Sequence, residues 1–182
     1  KKGTPVISLV GYTNAGKSTI LNRLSDAGVL AEDKLFATLD TTTRKIELPG
    51  GSEVFLTDTV GFIRKLPHHL IDAFKSTLEE AKYADLILHV VDASNPQMDE
   101  QMYVVYETLQ RLEAMDKPVV TAFNKMDRIG ESLTVRDFKA DRIVQVSAKT
   151  GEGIEDLMEM ILLTAEVLEL KANPNRRARG LV

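Results

Sequence analysis

Residues 11–18 read Gly-Tyr-Thr-Asn-Ala-Gly-Lys-Ser, directly after the apolar run 6–10 and directly before Thr19 and the helical stretch Ile20-Leu21-Asn22-Arg23-Leu24. This segment constrains the fold more than any other. The pattern G-x-x-x-x-G-K-S carries meaning where a strand runs into a helix, and both flanks are of that kind. A polyphosphate needs several N–H donors aimed at one point, and glycines let the backbone curl around it without Cβ clashes. The helix that follows turns unpaired N–H groups and the positive end of its dipole toward the same point. Lys17 is expected to set its ammonium on the β- and γ-phosphates, and the Ser18 hydroxyl to ligate Mg²⁺. Gly11, Tyr12, Thr13, Asn14, Ala15, Gly16, Lys17, Ser18 and Thr19 are thus the expected phosphate segment.

Six runs rich in β-branched and aliphatic residues predict strands at 6–10, 45–48, 54–57, 86–91, 119–123 and 143–146. Helical periodicity lies between most of them, at about 17–26, 69–82, 98–115 and 153–170. Pro49-Gly50-Gly51 is too short for a crossover helix, so the second and third strands are expected to form an antiparallel hairpin. The expected fold class is α/β, a P-loop NTPase: a mostly parallel six-stranded sheet with one antiparallel hairpin strand and helices on both faces. Ligands of such sheets sit beyond the carboxyl ends of the strands, which directs attention to the residues just after each strand.

Asp58-Thr59-Val60-Gly61 follows the third strand and places a carboxylate where it can hold a Mg²⁺ shell through water. The intervening segment 28–43 is polar and rich in threonine. Thr38, Thr41, Thr42 and Thr43 all compete to supply a further hydroxyl to the metal. Asn124-Lys125-Met126-Asp127 follows the fifth strand and Ser147-Ala148-Lys149 the sixth. Guanine presents N1–H and an exocyclic amine, and a carboxylate at Asp127 can accept from both. An adenine would leave that carboxylate unpaired, which is how such sites reject an analogue. Asn124 is expected to bond the base or to brace the phosphate loop. The Lys125 stem is expected along the base, and the Ala148 N–H against guanine O6.

Composition excludes several other readings. With 182 residues and 43% hydrophobic content the chain can bury one sizeable core. The net charge of −4 argues against binding nucleic acid with the whole surface. Lys171, Arg176, Arg177 and Arg179 nevertheless make the tail basic, and it reads either as a basic arm for a partner or as a linker. The absence of Cys excludes disulfides, thiolate metal sites and a Cys nucleophile, and fits a reducing compartment. No apolar run approaches the roughly 20 residues of a membrane-spanning helix. Lys1-Lys2-Gly3-Thr4-Pro5 does not resemble a secretory signal. An N-terminus opening almost directly on a strand suggests a domain excised from a longer protein.

Together these motifs resemble the small GTP-binding domains of translation-factor-like and Ras-like GTPases. The finer resemblance is to the HflX family of ribosome-associated GTPases. It is carried by residues 11–19 (GYTNAGKST), 36–44 (FATLDTTTR), 58–66 (DTVGFIRKL) and 70–80 (LIDAFKSTLEE). The resemblance implies a GTP-binding (G) domain over 1–171, a basic tail or linker over 172–182, and the absence from this chain of the family's N-terminal ribosome-associated domain. It further implies GTP and GDP as ligands, hydrolysis to GDP and phosphate, and the large ribosomal subunit, RNA and protein, as partner. A cytoplasmic location and a monomeric state are the accompanying expectations. The family pattern puts the metal-ligating threonine within Phe36-Ala37-Thr38-Leu39-Asp40, hence Thr38, with Thr43 as the alternative. Where relatives often carry proline, Asp40 is followed here by Thr41. Ser18, Thr38 and Asp58 are then the metal residues, and Lys17, Thr38 and Gly61 the catalytic set.

Ras-like proteins place after the switch glycine a Gln that orients the attacking water, but here that residue is Phe62. Slow intrinsic turnover, accelerated on the ribosome, is the expectation. Asn14 resembles GTPases that use K⁺ as an extra charge near the β- and γ-phosphates, and equally reads as a residue that only caps the loop. The γ-phosphate is expected to order two switch segments, near 33–44 and 59–70; Arg44 and Arg64 flank them and read mainly as solvated. His68-His69 read as a helix cap or partner contact, because phosphoryl transfer needs little proton abstraction by the protein. His89 reads as a core histidine satisfied by a neighbour, and no His/Asp/Glu cluster has zinc-site spacing. Two competing functions share these motifs. One is the cytosolic GTPase module of a membrane iron transporter, the other a ribosome-assembly or tRNA-modification GTPase. A P-loop kinase of a small metabolite is disfavoured by the Asn124 to Asp127 signature.

Overall fold

The structure, a computed structural model, describes residues 4–12, 14–28, 42–58, 82–111, 113–129, 135, 137 and 139–172. Its elements are β1 (Val6–Gly11), α1 (Lys17–Gly28), β2 (Thr42–Glu47), β3 (Glu53–Asp58), β4 (Leu86–Asp92), α2 (Met98–Arg111), β5 (Val119–Asn124), β6 (Arg142–Gln145) and α3 (Ile154–Ala172). The six strands form one sheet in the order β2-β3-β1-β4-β5-β6. Every pairing is parallel except β2 on β3. The Pro49-Gly50-Gly51 turn closes that hairpin, with the Gly51 N–H donating to the Leu48 carbonyl at 3.0 Å.

Side-chain alternation splits the sheet between two cores. Ile7 and Leu9 of β1, with Leu86, Leu88 and Val90 of β4, pack under Ile20, Leu21 and Leu24 of α1 and Leu157 and Ile161 of α3. Val10, Ile87, Val91 and Phe123 face the other way, onto Met102, Val105, Tyr106 and Leu109 of α2. Each large side chain so buried contributes about 1.5–3 kcal/mol. Helices therefore cover both faces, as expected. Because α1 leaves β1 on one face and α2 leaves β4 on the other, the crevice between these strands opens at their carboxyl ends.

Two boundaries differ from expectation by more than two residues, and one short turn was not foreseen. β2 begins at Thr42 rather than 45, since Thr42, Thr43 and Arg44 find cross-strand partners in Asp58, Thr57 and Leu56. A polar edge segment gives no apolar run to read, yet its backbone pairs all the same. The helix expected over 98–115 stops at Arg111, and Glu113 then takes the left-handed φ of 59° that often ends helices. A short 3₁₀ turn, Met126–Arg128, follows β5. The helix expected at 69–82 lies outside the described residues apart from Lys82, as does the tail 173–182. Among the described residues no helix is long and apolar enough to cross a membrane.

The α2 side of the core encloses a polar pocket. His89 meets Tyr106 edge to face, with ring centroids 4.9 Å apart. The Tyr106 hydroxyl donates to Asp137, and so does the Thr121 hydroxyl, at 2.6 Å. Burial pushes the His89 imidazole down to about 4, against the opposing pull of Asp137. The expected satisfaction by a neighbour fails at one atom: among the described residues His89 Nδ1 has no hydrogen-bond partner. The carboxylate of Asp137 is engaged by Tyr106 and Thr121 instead.

Candidate functional site

The loop between β1 and α1 winds on itself before the helix starts. The Ala15 N–H donates to the Tyr12 carbonyl at 3.1 Å, and the Ile20 N–H to Gly16 at 2.9 Å. Asn14 has a φ of 68° and Gly16 one of 103°. Only glycine suits Gly16, because a Cβ there would sit 2.3 Å from Asn124 Nδ2. At the head of α1 Lys17 is largely buried, and its Nζ lies 3.9 Å from Asp58 Oδ1. Burial holds this ammonium below the ordinary lysine range, with the Asp58 charge pulling the other way.

Beside it the Ser18 hydroxyl donates to Asp58 Oδ2 at 3.0 Å. That leaves the Ser18 oxygen's lone pairs available. Asp58 Oδ1 is buried and accepts no hydrogen bond among the described residues. Hard oxygen donors, one of them an orphaned carboxylate oxygen, beside an anion loop fit Mg²⁺. Thr43 is not part of this group. Its hydroxyl lies 3.3 Å from that of Thr57, on the sheet face opposite Asp58.

At the end of β5 Asn124 faces the phosphate loop. Its Nδ2 donates to the Ala15 carbonyl at 3.0 Å, and its Oδ1 accepts the Ala148 N–H at 2.9 Å. Of the two roles expected for Asn124, bracing is the one observed, and the Ala148 N–H is already engaged by it. Lys125, left-handed at φ 67°, sends its Nζ to the Asn14 carbonyl at 2.9 Å and to Asp92 Oδ2 at 3.0 Å. Burial alone would raise the Asp92 carboxyl, but the Ser94 hydroxyl and Lys125 outweigh it and hold the group below its usual range. Asp127 stays exposed on the 3₁₀ turn, with the Ser147 hydroxyl on its Oδ1 at 2.8 Å and a second oxygen open.

The structure thus brings together Gly11, Tyr12, Asn14, Ala15, Gly16, Lys17, Ser18, Thr19, Asp58, Asn124, Lys125, Met126, Asp127, Ser147, Ala148 and Lys149 along one rim of the sheet. Thr13, Phe36, Ala37, Thr38, Leu39, Asp40, Thr59, Val60, Gly61, Phe62, Arg64, His68 and His69 lie outside the described residues. Arg44 stands level with Leu56, one cross-strand step short of the Asp58 level on its face of β2, with a buried Nε that has no partner among the described residues. Sequence reasoning missed Asp92 and Ser94, although both follow a predicted strand, where candidate chemistry was expected. It also missed Arg23, for which no local signal exists.

A glycine-bearing loop between β1 and α1, a Ser–Asp pair at its end, and an Asn-Lys-Met-Asp stretch tied to that loop define a P-loop GTPase domain. The family described as 50S ribosome-binding GTPase matches residues 6–125, and the chain belongs to it. Its relatives bear out the expected HflX likeness. It is 66% identical over 161 residues to GTPase HflX of Lacrimispora saccharolytica, covering 88% of this chain and 38% of that protein. Against GTPase HflX of Caldanaerobacter subterraneus the identity is 54%, covering 88% and 37%. The chain therefore spans less than two fifths of either relative. A solved GTP-binding protein from Sulfolobus solfataricus, in complex with GDP, superposes with a TM-score of 0.72 at 28% identity, covering 90% of this chain and 53% of that one.

Proposed function

We propose that this domain is the guanine-nucleotide switch of a cytoplasmic, monomeric protein that works on the large ribosomal subunit, with slow intrinsic hydrolysis quickened there. One observation carries the reading: the Lys17–Ser18–Asp58 group and the Asn124–Asp127–Ser147 group share a rim and are joined through Ala15. In this reading residues 11–19 wrap the phosphates and Lys17 draws charge from the β–γ bridge. Ser18 and Asp58 hold Mg²⁺, with Thr38 completing the site. When bound, the metal neutralises charge that develops on the γ-phosphate. Asp127 accepts from guanine N1–H and N2–H₂, while Ser147 keeps the carboxylate oriented. The segments near 33–44 and 59–70 sense the γ-phosphate, and the basic tail 172–182 supplies an arm for RNA.

Phe62 has no polar atom with which to orient water, so full turnover calls for a group from outside the chain. The ribosomal partner is supported by the family's description, 50S ribosome-binding GTPase. The test is hydrolysis by this chain, and by the full-length parent, with and without purified large subunits. Stimulation of the parent by tenfold or more is expected, and identical rates would refute the ribosomal reading. Running both in KCl and NaCl tests K⁺ as a second cofactor beside Asn14, where equal rates would remove it.

A further inference from the structure

Arg23 lies one and a half turns into α1, the helix that opens with Lys17 and Ser18. Its guanidinium reaches the base-reading loop. Nε donates to the Ala148 carbonyl at 2.7 Å and Nη2 to the Lys149 carbonyl at 2.8 Å. Gly151 leaves room for it, since a Cβ at that position would come 3.1 Å from Nη1. The same loop is held from β5, where Asn124 takes the Ala148 N–H. Two elements of the sheet-and-helix frame therefore grip three consecutive peptide groups.

The direction of that grip matters. A trans peptide is planar, so a carbonyl and the N–H that follows it point opposite ways. With no cis peptide among the described residues, fixing the Ala148 carbonyl on Arg23 turns the Lys149 N–H away from α1. A planar fork with donors in fixed directions suits two adjacent carbonyls, which a single ammonium does not. Among the described residues no other hydrogen bond ties a side chain of α1 to residues 147–149.

We infer that Arg23 is a positioning residue: it locks the purine-reading loop to the phosphate-binding helix, so that the span between the two halves of the nucleotide site is set by the protein before ligand arrives. The inference rests on the guanine-nucleotide reading above. Arg23 acts through the Ala148 and Lys149 carbonyls, at the base end of the site, so it favours GDP and GTP by the same factor. Without it the loop populates other positions, and apparent affinity falls by the fraction of time it is misplaced.

The test is stopped-flow release of fluorescent GDP and of a fluorescent non-hydrolysable GTP analogue from this chain, as wild type, Arg23→Ala, Arg23→Gln and Arg23→Lys. Release of both nucleotides is expected to quicken about tenfold in Arg23→Ala, equally for the two, with Arg23→Lys recovering part of the loss. Single-turnover hydrolysis at saturating GTP should stay within about twofold, because the loop contributes to binding and not to the chemical step. Unchanged release in folded variants overturns the inference, and so does acceleration confined to the GTP analogue. Should Arg23→Ala not fold, the Gln and Lys variants carry the same comparison. A competition with ATP in the same assay separates the two levels of argument. Guanine selectivity that survives alongside unchanged release overturns the brace alone, whereas a wild type that holds ATP as firmly overturns the guanine reading with it.

Discussion

Replacing Gly16 by alanine tests whether the two halves of the rim depend on each other. The added Cβ would stand 2.3 Å from Asn124 Nδ2, so Asn124 must give way. In moving it loses its bond to the Ala15 carbonyl at 3.0 Å and the Ala148 N–H at 2.9 Å. Two buried hydrogen bonds are worth about 1 kcal/mol each, and a non-glycine residue at this left-handed φ adds roughly 1–2 kcal/mol. The sum, about 3–4 kcal/mol, corresponds to a weakening of roughly 10²–10³-fold where it falls on the binding-competent loop. Equilibrium titration with fluorescent GDP measures it, and a double-mutant cycle with Asn124→Ala isolates the cause. In that background Gly16→Ala should cost only the backbone strain, giving a coupling energy near 2 kcal/mol. A Gly16→Ala protein that binds GDP within about threefold of wild type, or a coupling below about 0.5 kcal/mol, would refute the reasoning.

Two further predictions follow from single side chains. On the proposed guanine reading Asp127→Asn should weaken GDP by about two orders of magnitude and leave ATP where it was, because the carboxylate that Ser147 holds would no longer accept from the guanine edge; competition titrations that show an unaltered guanine preference would contradict this. His89 titrates near 6.5 when unfolded and near 4 in the fold, so as pH falls through 6.5 the unfolded chain takes up a proton that the native state refuses. Stability is then lost on acidification, by about 2 kcal/mol between pH 7 and pH 5 from this group, with no contribution above 6.5. Denaturant melts of His89→Gln should show that much less acid loss than wild type, and parallel curves for the two proteins would count against it.

What the sequence disclosed and what it withheld divide along a physical line. The phosphate loop, the Asp58 and Asp127 carboxylates and six of six strands were legible, because each is written in a short stretch of chain. Turn glycines, apolar alternation and strand-end polar residues are local signals. Arg23 and the Asp92–Lys125 pair were not, nor was the choice between the two roles expected of Asn124, since the partners that decide them lie far off along the chain. Arg23 meets Ala148 across 125 residues and Asn124 meets Ala15 across 109. Nothing in the neighbourhood of an arginine on an amphipathic helix announces which carbonyls it will find. The early start of β2 escaped for the same reason, as its pairing depends on β3 rather than on its own polarity.

The register of the β2–β3 hairpin has one more implication. Thr42, where the stretch 29–41 ends, stands directly across from Asp58, where the stretch 59–81 begins. That rung is tied to the head of α1 through Ser18, whose hydroxyl donates to Asp58. The end of the hairpin and the first turn of α1 therefore share one anchor, and a substitution that slides the rung would be felt at both.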